Sequence, residues 1–235
     1  MQPLKNELPC SNDVLFVFYD FESTQILIEC EHIPILVCVQ RFCSACEMQD
    51  DIEIDCVRCG RRRHSFYDDP VGDLLPYLCE PRPWCNRVLA KAHNAKAFDS
   101  QFILKRAILL KWNPQLILTG LKIISMKMQH NHFLDSISHL PMPLRKLPEA
   151  FGLSTQKKYF PYYWNTKANL DYVGPIPDIK YFGDDEMSEN ERKDFLSWYN
   201  EQKDIVFDNR RVLEQYCQDD VTVSGRRVRY SGVIL

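Results

Sequence analysis

Residues 14–19 (VLFVFY) form an unbroken apolar and aromatic run that closes on Asp20-Phe21-Glu22. Two more short runs, at residues 26–29 and 34–40, follow after brief polar breaks. Runs of this length, rich in β-branched and aromatic side chains, predict neighbouring strands of a meander. From residue 41 to 63 the pattern gives way to cysteines, acids and three consecutive arginines, so this segment reads as an insertion. Apolar spacing predicts a helix over residues 68–78, and Arg87–Ala92 reads as a buried strand ending at His93-Asn94. Phe98, Phe102, Ile103, Ala107 and Leu110 then recur at helical spacing, which puts Asp99 near a first helical turn. Gln115–Thr119 and Lys122–Met128 predict a strand pair joined near Gly120. Prolines and aromatics crowd residues 141–178, an ordered loop rather than regular elements. Ser188, with Glu191 three residues on, starts a helix over 188–200, and residues 204–223 predict a longer amphipathic helix. Residues 224–235 lose that pattern and are expected to form a divergent tail, as residues 1–13 do at the other end.

A chain of 235 residues with 45% hydrophobic content can bury one substantial core, so a single domain over 14–223 with one insertion is expected. A formal charge of −3 gives no global positive field, and any contact with nucleic acid must be local. The chain has no apolar run of about 18 residues and no basic-then-apolar opening, so a soluble intracellular protein without a membrane partner is expected, its compartment open.

Candidate chemistry begins with carboxylates. Asp20 and Glu22, two apart on a strand, point to the same face. Two carboxylates aimed at one spot repel unless a cation lies between them, and hard Mg2+ or Mn2+ suits oxygen ligands. Acid pairs at strand ends are common, and two later segments add weight. Asp99 sits at a strand-to-helix junction, and Tyr216 and Asp220 are spaced by four, on one face of a helix.

Tyr-Asp-Phe-Glu at 19–22, Asn-x3-Phe-Asp at 94–99 and Tyr-x3-Asp at 216–220 resemble, in order, the three motifs of DEDD-type proofreading exonucleases of the Tyr subclass. The segments AHNAKAFDSQFIL, FLDSISHLPMPLRKLPEAFGL and KKYFPYYWNT are similar to the organellar and viral branch of family B DNA polymerases, which includes protein-primed phage enzymes and self-synthesising transposons. The resemblance implies an RNase H-like α/β fold, a mixed sheet flanked by helices. It further implies that Asp20, Glu22, Asp99 and Asp220 hold two Mg2+ or Mn2+ ions, with Tyr216 orienting the attacking water and Lys157 near the scissile phosphate. Ser23, Asn94, Phe98 and Ser136 would hold the 3′ end of single-stranded DNA, Phe98 by stacking or, alternatively, as plain core. The Asp-x2-Ser-Leu-Tyr-Pro and Thr-Asp-Ser polymerase blocks are missing from the sequence, so a polymerase domain and a protein primer are expected only as partners beyond this chain. The alternative is a catalytically silent DNA- or protein-binding remnant. A third reading, an RNA-trimming exonuclease, is disfavoured by the polymerase-type middle segments.

Ten cysteines need a separate account. Cys43-x2-Cys46 and Cys56-x2-Cys59, nine residues apart, have the paired spacing of a zinc ribbon, here an insertion over 41–64 holding one structural Zn2+. His64 and Cys38 are alternative ligands. Cys10, Cys30, Cys38, Cys79, Cys85 and Cys217 fall outside paired spacing and read as small buried hydrophobes. Arg58 and Arg61 to Arg63 form the densest basic cluster, either a phosphate contact or a solvated face.

Overall fold

The computed structural model describes residues 14–26, 31–46, 49, 51–96, 98–138, 141–150, 152 and 159–230, at 25, 26, 145 and 226–230 for the backbone alone. The first apolar run opens a long strand, β1 (Val14–Ile26), which returns antiparallel as β2 (Glu31–Phe42). The expected break after Glu22 is not a break between strands. It is a register shift between Glu22 and Ser23 inside one hairpin, so the strand begun by the run at 14–19 passes the polar break and reaches Ile26, while residues 27–29 of the second run lie outside the described residues.

The cysteine insertion follows, and the chain re-enters the sheet as β3 (Arg63–Tyr67) beside β2. Helix α1 (Pro70–Cys79) starts with Pro70 in its first turn and Asp69 accepting the Gly72 amide, and buries Val71, Leu74, Leu75 and Leu78. Then come β4 (Arg87–Ala92), α2 (Asp99–Leu109), β5 (Gln115–Thr119), β6 (Lys122–Met128) and β7 (Asn131–Asp135). The proline-rich stretch carries a short helical turn, α3 (Leu147–Ala150), several 3-10 turns and β8 (Val173–Gly174). Helix α4 (Glu189–Gln202) is capped by Ser188 on the Glu191 amide as its sequence predicts. β9 (Phe207–Asp208) precedes the last helix, α5 (Asn209–Tyr230).

The main sheet has the order β3-β2-β1-β4-β7-β6-β5, parallel between β1, β4 and β7 and antiparallel elsewhere. One face of β1 packs Phe21 on Phe102 of α2, while on the other Asp20 meets Cys217 of α5, so the helices cover both faces. The core between them includes Leu15, Val17, Leu36, Val39, Ala90, Ile103 and Leu213. A second apolar cluster, Phe182, Phe195 and Tyr199, underlies the aromatic loop and α4.

The expected end of regular structure after residue 223 is not what the chain adopts: α5 runs on to Tyr230. Gly225, a weak helix former, explains both the faded pattern and the fit. A Cβ there would stand 3.3 Å from Gln40 Nε2, so the missing side chain lets the helix pass close over β2. Asp220 is therefore held by helix on both sides, with Val221 and Val223 buried beyond it.

Candidate active site

β1 outruns β4. Their parallel ladder ends at the Phe18–Lys91 pair, which leaves the β4-side edge of β1 without a strand where the acids begin. Asn94, in the left-handed region at φ 62°, takes the chain out of β4 and into the loop before α2. That loop returns Asp99 to the bare edge, where its carboxylate accepts the backbone N–H of Phe21, between Asp20 and Glu22. Burial, opposed by that bond and its own amide, leaves the Asp99 carboxyl raised to about 7, and nearby Asp135 adds to the rise.

Asp20 and Glu22 are half-buried, and their carboxylate oxygens and the Cys217 Sγ lie within 4.8 Å of one another. Cys217 donates to the Asp20 carbonyl at 3.3 Å, and burial pushes its thiol well above the usual range, so it meets the acids as a neutral group rather than a competing thiolate. Tyr216, 4% exposed, hydrogen-bonds the hydroxyl of Tyr162. Its own hydroxyl is raised by burial first and then by Asp220, Tyr162 and Glu22. The buried hydroxyl of Tyr19 is raised by burial and by Asp99, Asp135 and Asp20. Asp99 and Asp220 stay outside the tightest group, and among the described residues no third carboxylate joins Asp20 and Glu22 within it.

The other expected contacts divide. Ser23 shares a 3.4 Å hydrogen bond with His32 Nδ1, and the His32 ring meets Phe98 edge-on at 5.6 Å, so these three stand together. Phe98 is 53% exposed, which favours a face open to a ligand over plain core packing. Ser136 Oγ lies 3.0 Å from His93 Nδ1, beside exposed Asn94. Lys157 lies outside the described residues, as do Cys10 and Cys30.

Sequence reasoning passed over Tyr162 and Asp135. Tyr162 lay unremarked in an aromatic-rich loop, and only folding brings its phenol to Tyr216. Asp135 is 2% exposed and accepts the amides of Lys96 at 3.2 Å and Ile137 at 2.9 Å, so it ties the loop that presents Asp99 to the end of β7. An aspartate followed by Ser136 at a strand end is an Asx-turn signal that could have found it.

The four insertion cysteines are buried, and their sulfurs lie within 4.8 Å of one another. Cys43 and Cys56 sulfurs are 3.8 Å apart and Cys46 and Cys59 sulfurs 3.7 Å, while the amides of Arg58 and Cys59 donate to the Cys56 sulfur. Hydrogen bonding from Cys59 holds the Cys46 thiol at about 5, Cys59 is pushed up in turn, and burial raises Cys43 to about 11. A set of four thiols this close fits one tetrahedral cation far better than four protons. Neither expected alternative joins it: His64 bonds the Arg61 carbonyl and Cys38 lies beside Ser65. The arginines here are mostly structural. Arg62, 1% exposed, donates to the carbonyls of Asp51 and Gln49, and Arg63 pairs with Glu53 and reaches Thr222.

The sheet order, the two helical layers and the carboxylates at the edge of β1 define an RNase H-like α/β protein. The sequence profile of DNA polymerase type B, organellar and viral, matches residues 87–228, and the chain belongs to that family. A probable DNA polymerase of Agaricus bitorquis is 35% identical over 133 residues, covering 54% of this chain and 17% of that protein. One of Neurospora intermedia is 30% identical over 91 residues, 38% of this chain and 9% of its own length. The chain thus spans under a fifth of these curated relatives. Phi29 DNA polymerase complexed with primer-template DNA superposes with a TM-score of 0.56 at 13% identity, over 94% of this chain and 32% of that one. Its complex with single-stranded DNA gives 0.54 at 13%, over 93% and 31%. At that identity the likeness is one of fold.

Proposed function

We propose that residues 14–223 are the 3′→5′ exonuclease domain of a type B DNA polymerase, which hydrolyses 3′-terminal nucleotides of single-stranded DNA. The observation that carries this reading is the bare edge of β1, where Asp99 reaches the Phe21 amide between Asp20 and Glu22 while Tyr216 faces Glu22 and Asp220. Asp20 and Glu22, with Asp99 at the Phe21 amide between them and Asp220 beside Tyr216, are hard oxygen donors that suit two Mg2+ or Mn2+ ions. When bound, such a pair supplies Lewis acidity at an attacking water and at the departing 3′ oxygen.

The chain's own groups do the rest. Tyr216, still protonated at any working pH, donates or accepts one hydrogen bond at a fixed point, and Tyr162 holds that phenol in place. Phe98, exposed beside His32, offers a ring face to a frayed base whatever its identity. Ser23 supplies a hydroxyl beside His32 and Phe98, Asn94 and Ser136 supply polar atoms at the end of β4, and Lys157 is assigned to the scissile phosphate. The zinc ribbon has no open ligand position and serves the fold. Within a longer protein this domain edits strands extended by a polymerase domain from a protein primer.

The test is release of a 3′ label from a single-stranded oligonucleotide in Mg2+, with a 5′ label to fix the direction and an RNA strand in parallel. Asp20→Ala and Glu22→Ala are expected to slow release on the order of a thousandfold, a loss of several kcal/mol of transition-state stabilisation. Release by the variants at the parent rate sinks the assignment.

A further inference from the structure

Every second residue of β3 reaches α5, and each reaches it one helical turn further along. The Tyr67 hydroxyl donates to the Glu214 carboxylate, Gln218 Nε2 donates to Ser65 Oγ at 2.8 Å, and Arg63 Nη2 donates to Thr222 Oγ1 at 2.9 Å. Residues two apart on a strand share a face at about 6.6 Å, and residues four apart on a helix share one at about 6 Å. The spacings match, so the three contacts form a ladder between an antiparallel strand and helix. Five of its six side chains, Arg63, Ser65, Tyr67, Glu214 and Gln218, line a cavity of about 430 Å3. The rungs therefore cross a cleft rather than a packed seam.

The last rung is also tied to the zinc-ribbon insertion. Arg63 Nη1 pairs at 2.6 Å with Glu53, which lies between Cys46 and Cys56. One planar guanidinium thus spans from the insertion to α5, a reach that the point charge of a lysine does not copy. Thr222 in turn donates to the Gln218 carbonyl at 2.8 Å, so the last two rungs share one turn of helix. That turn contains buried Asp220. At about 100° per residue, Asp220 stands roughly 200° round the axis from both Gln218 and Thr222, so the ladder grips α5 on the side away from the acid. Such a grip fixes how far the helix is rolled. A carboxylate about 6 Å from the axis moves about 1 Å for roughly 10° of roll, whereas metal–ligand distances tolerate only about 0.2 Å.

We propose that Arg63 is a positioning residue of the nuclease site: through Thr222 it sets the roll of α5 and so the place of Asp220, and the zinc-ribbon insertion acts on the site through it. This rests on the proposed function for the task of Asp220, not for the ladder itself.

Binding of Mn2+ to the full chain, followed by electron paramagnetic resonance of the free ion, reads the site without turnover. Thr222→Val, which keeps the shape and drops the hydroxyl, is expected to weaken Mn2+ binding about tenfold, and Thr222→Ser to restore it. Arg63→Gln is expected to match Thr222→Val, and Arg63→Lys to recover little of the loss. Cys46→Ser, aimed at the insertion alone, is expected to give a similar loss, and combined with Thr222→Val no more than either change alone. Leu213→Ala, a core change on the same helix but off the ladder, should lower the unfolding midpoint and leave Mn2+ affinity unchanged. The proposal is overturned by parent affinity in Thr222→Val, by an equal loss in Leu213→Ala, by multiplied losses in the double variant, or by a parent that holds no Mn2+. A loss in Thr222→Val beside a parent that releases no 3′ label would keep the ladder and reject the nuclease. Label release by the parent beside unchanged Mn2+ affinity in Thr222→Val would do the opposite.

Discussion

Asp99 gives up part of its charge to reach the edge of β1. A carboxyl raised from 3.8 to about 7 on folding binds its proton more tightly in the native state. Its contribution to stability is therefore full below about pH 4 and lost as pH rises through 7, a cost on the order of 4 kcal/mol once ionised. A divalent cation at the site offsets that cost only where the proton has left or is easily displaced. Addition of Mg2+ is thus expected to raise the melting temperature more at pH 8 than at pH 6, and Asp99→Asn to flatten the difference. Calorimetry at the two pH values checks it, and an equal rise at both would contradict this role. The same residue shows what the sequence withheld. Its type and its junction were legible, whereas its partner, a main-chain amide 78 residues earlier, carries no side-chain signature.

Among the elements, those with strong local pattern were legible: Arg87–Ala92, Gln115–Thr119 and Lys122–Met128 fall where the apolar runs predict. Two strands of the main sheet escaped, as did the short pair β8 and β9. β3 is half-buried throughout and built from Arg63, His64, Ser65, Phe66 and Tyr67, so it lacks alternation, and pairing with β2 rather than propensity makes it a strand. β7 has a clean alternation of buried and half-buried residues, but at five residues it is short and merges into the following loop. The grouping of Cys43, Cys46, Cys56 and Cys59 was legible from spacing alone, since paired Cys-x2-Cys segments follow a rule that does not depend on distant packing. The insertion has little core of its own, so Cys46→Ser or removal of metal by a chelator is expected to open residues 43–59 to trypsin at Arg58. Metal analysis should give one zinc per parent chain and a marked loss in the variant. A parent chain that holds no zinc and resists trypsin would refute this account.

For the molecule as a whole, α5 is the member that joins the core to the acids, burying Leu213, Cys217 and Val221 along the face that also brings Tyr216 and Asp220 to β1. Leu213→Ala, at 1% exposure, is expected to cost about 2–5 kcal/mol in urea unfolding. Leu121→Ala, at 93% exposure in the β5–β6 turn, should change stability by less than about 0.5 kcal/mol. Similar midpoints for the two would mean that the core is not where the packing puts it. Among the described residues no helix is long and apolar enough to cross a membrane. Asp20 and Cys217 touch across 197 positions of sequence. Contacts of such separation form slowly, because the loop must close before anything rewards it. A chain still emerging from the ribosome carries Asp20 and Glu22 on a hairpin long before residue 217 has been made, so the acids travel through that stretch of synthesis as solvated surface charge and meet α5 only after it has emerged.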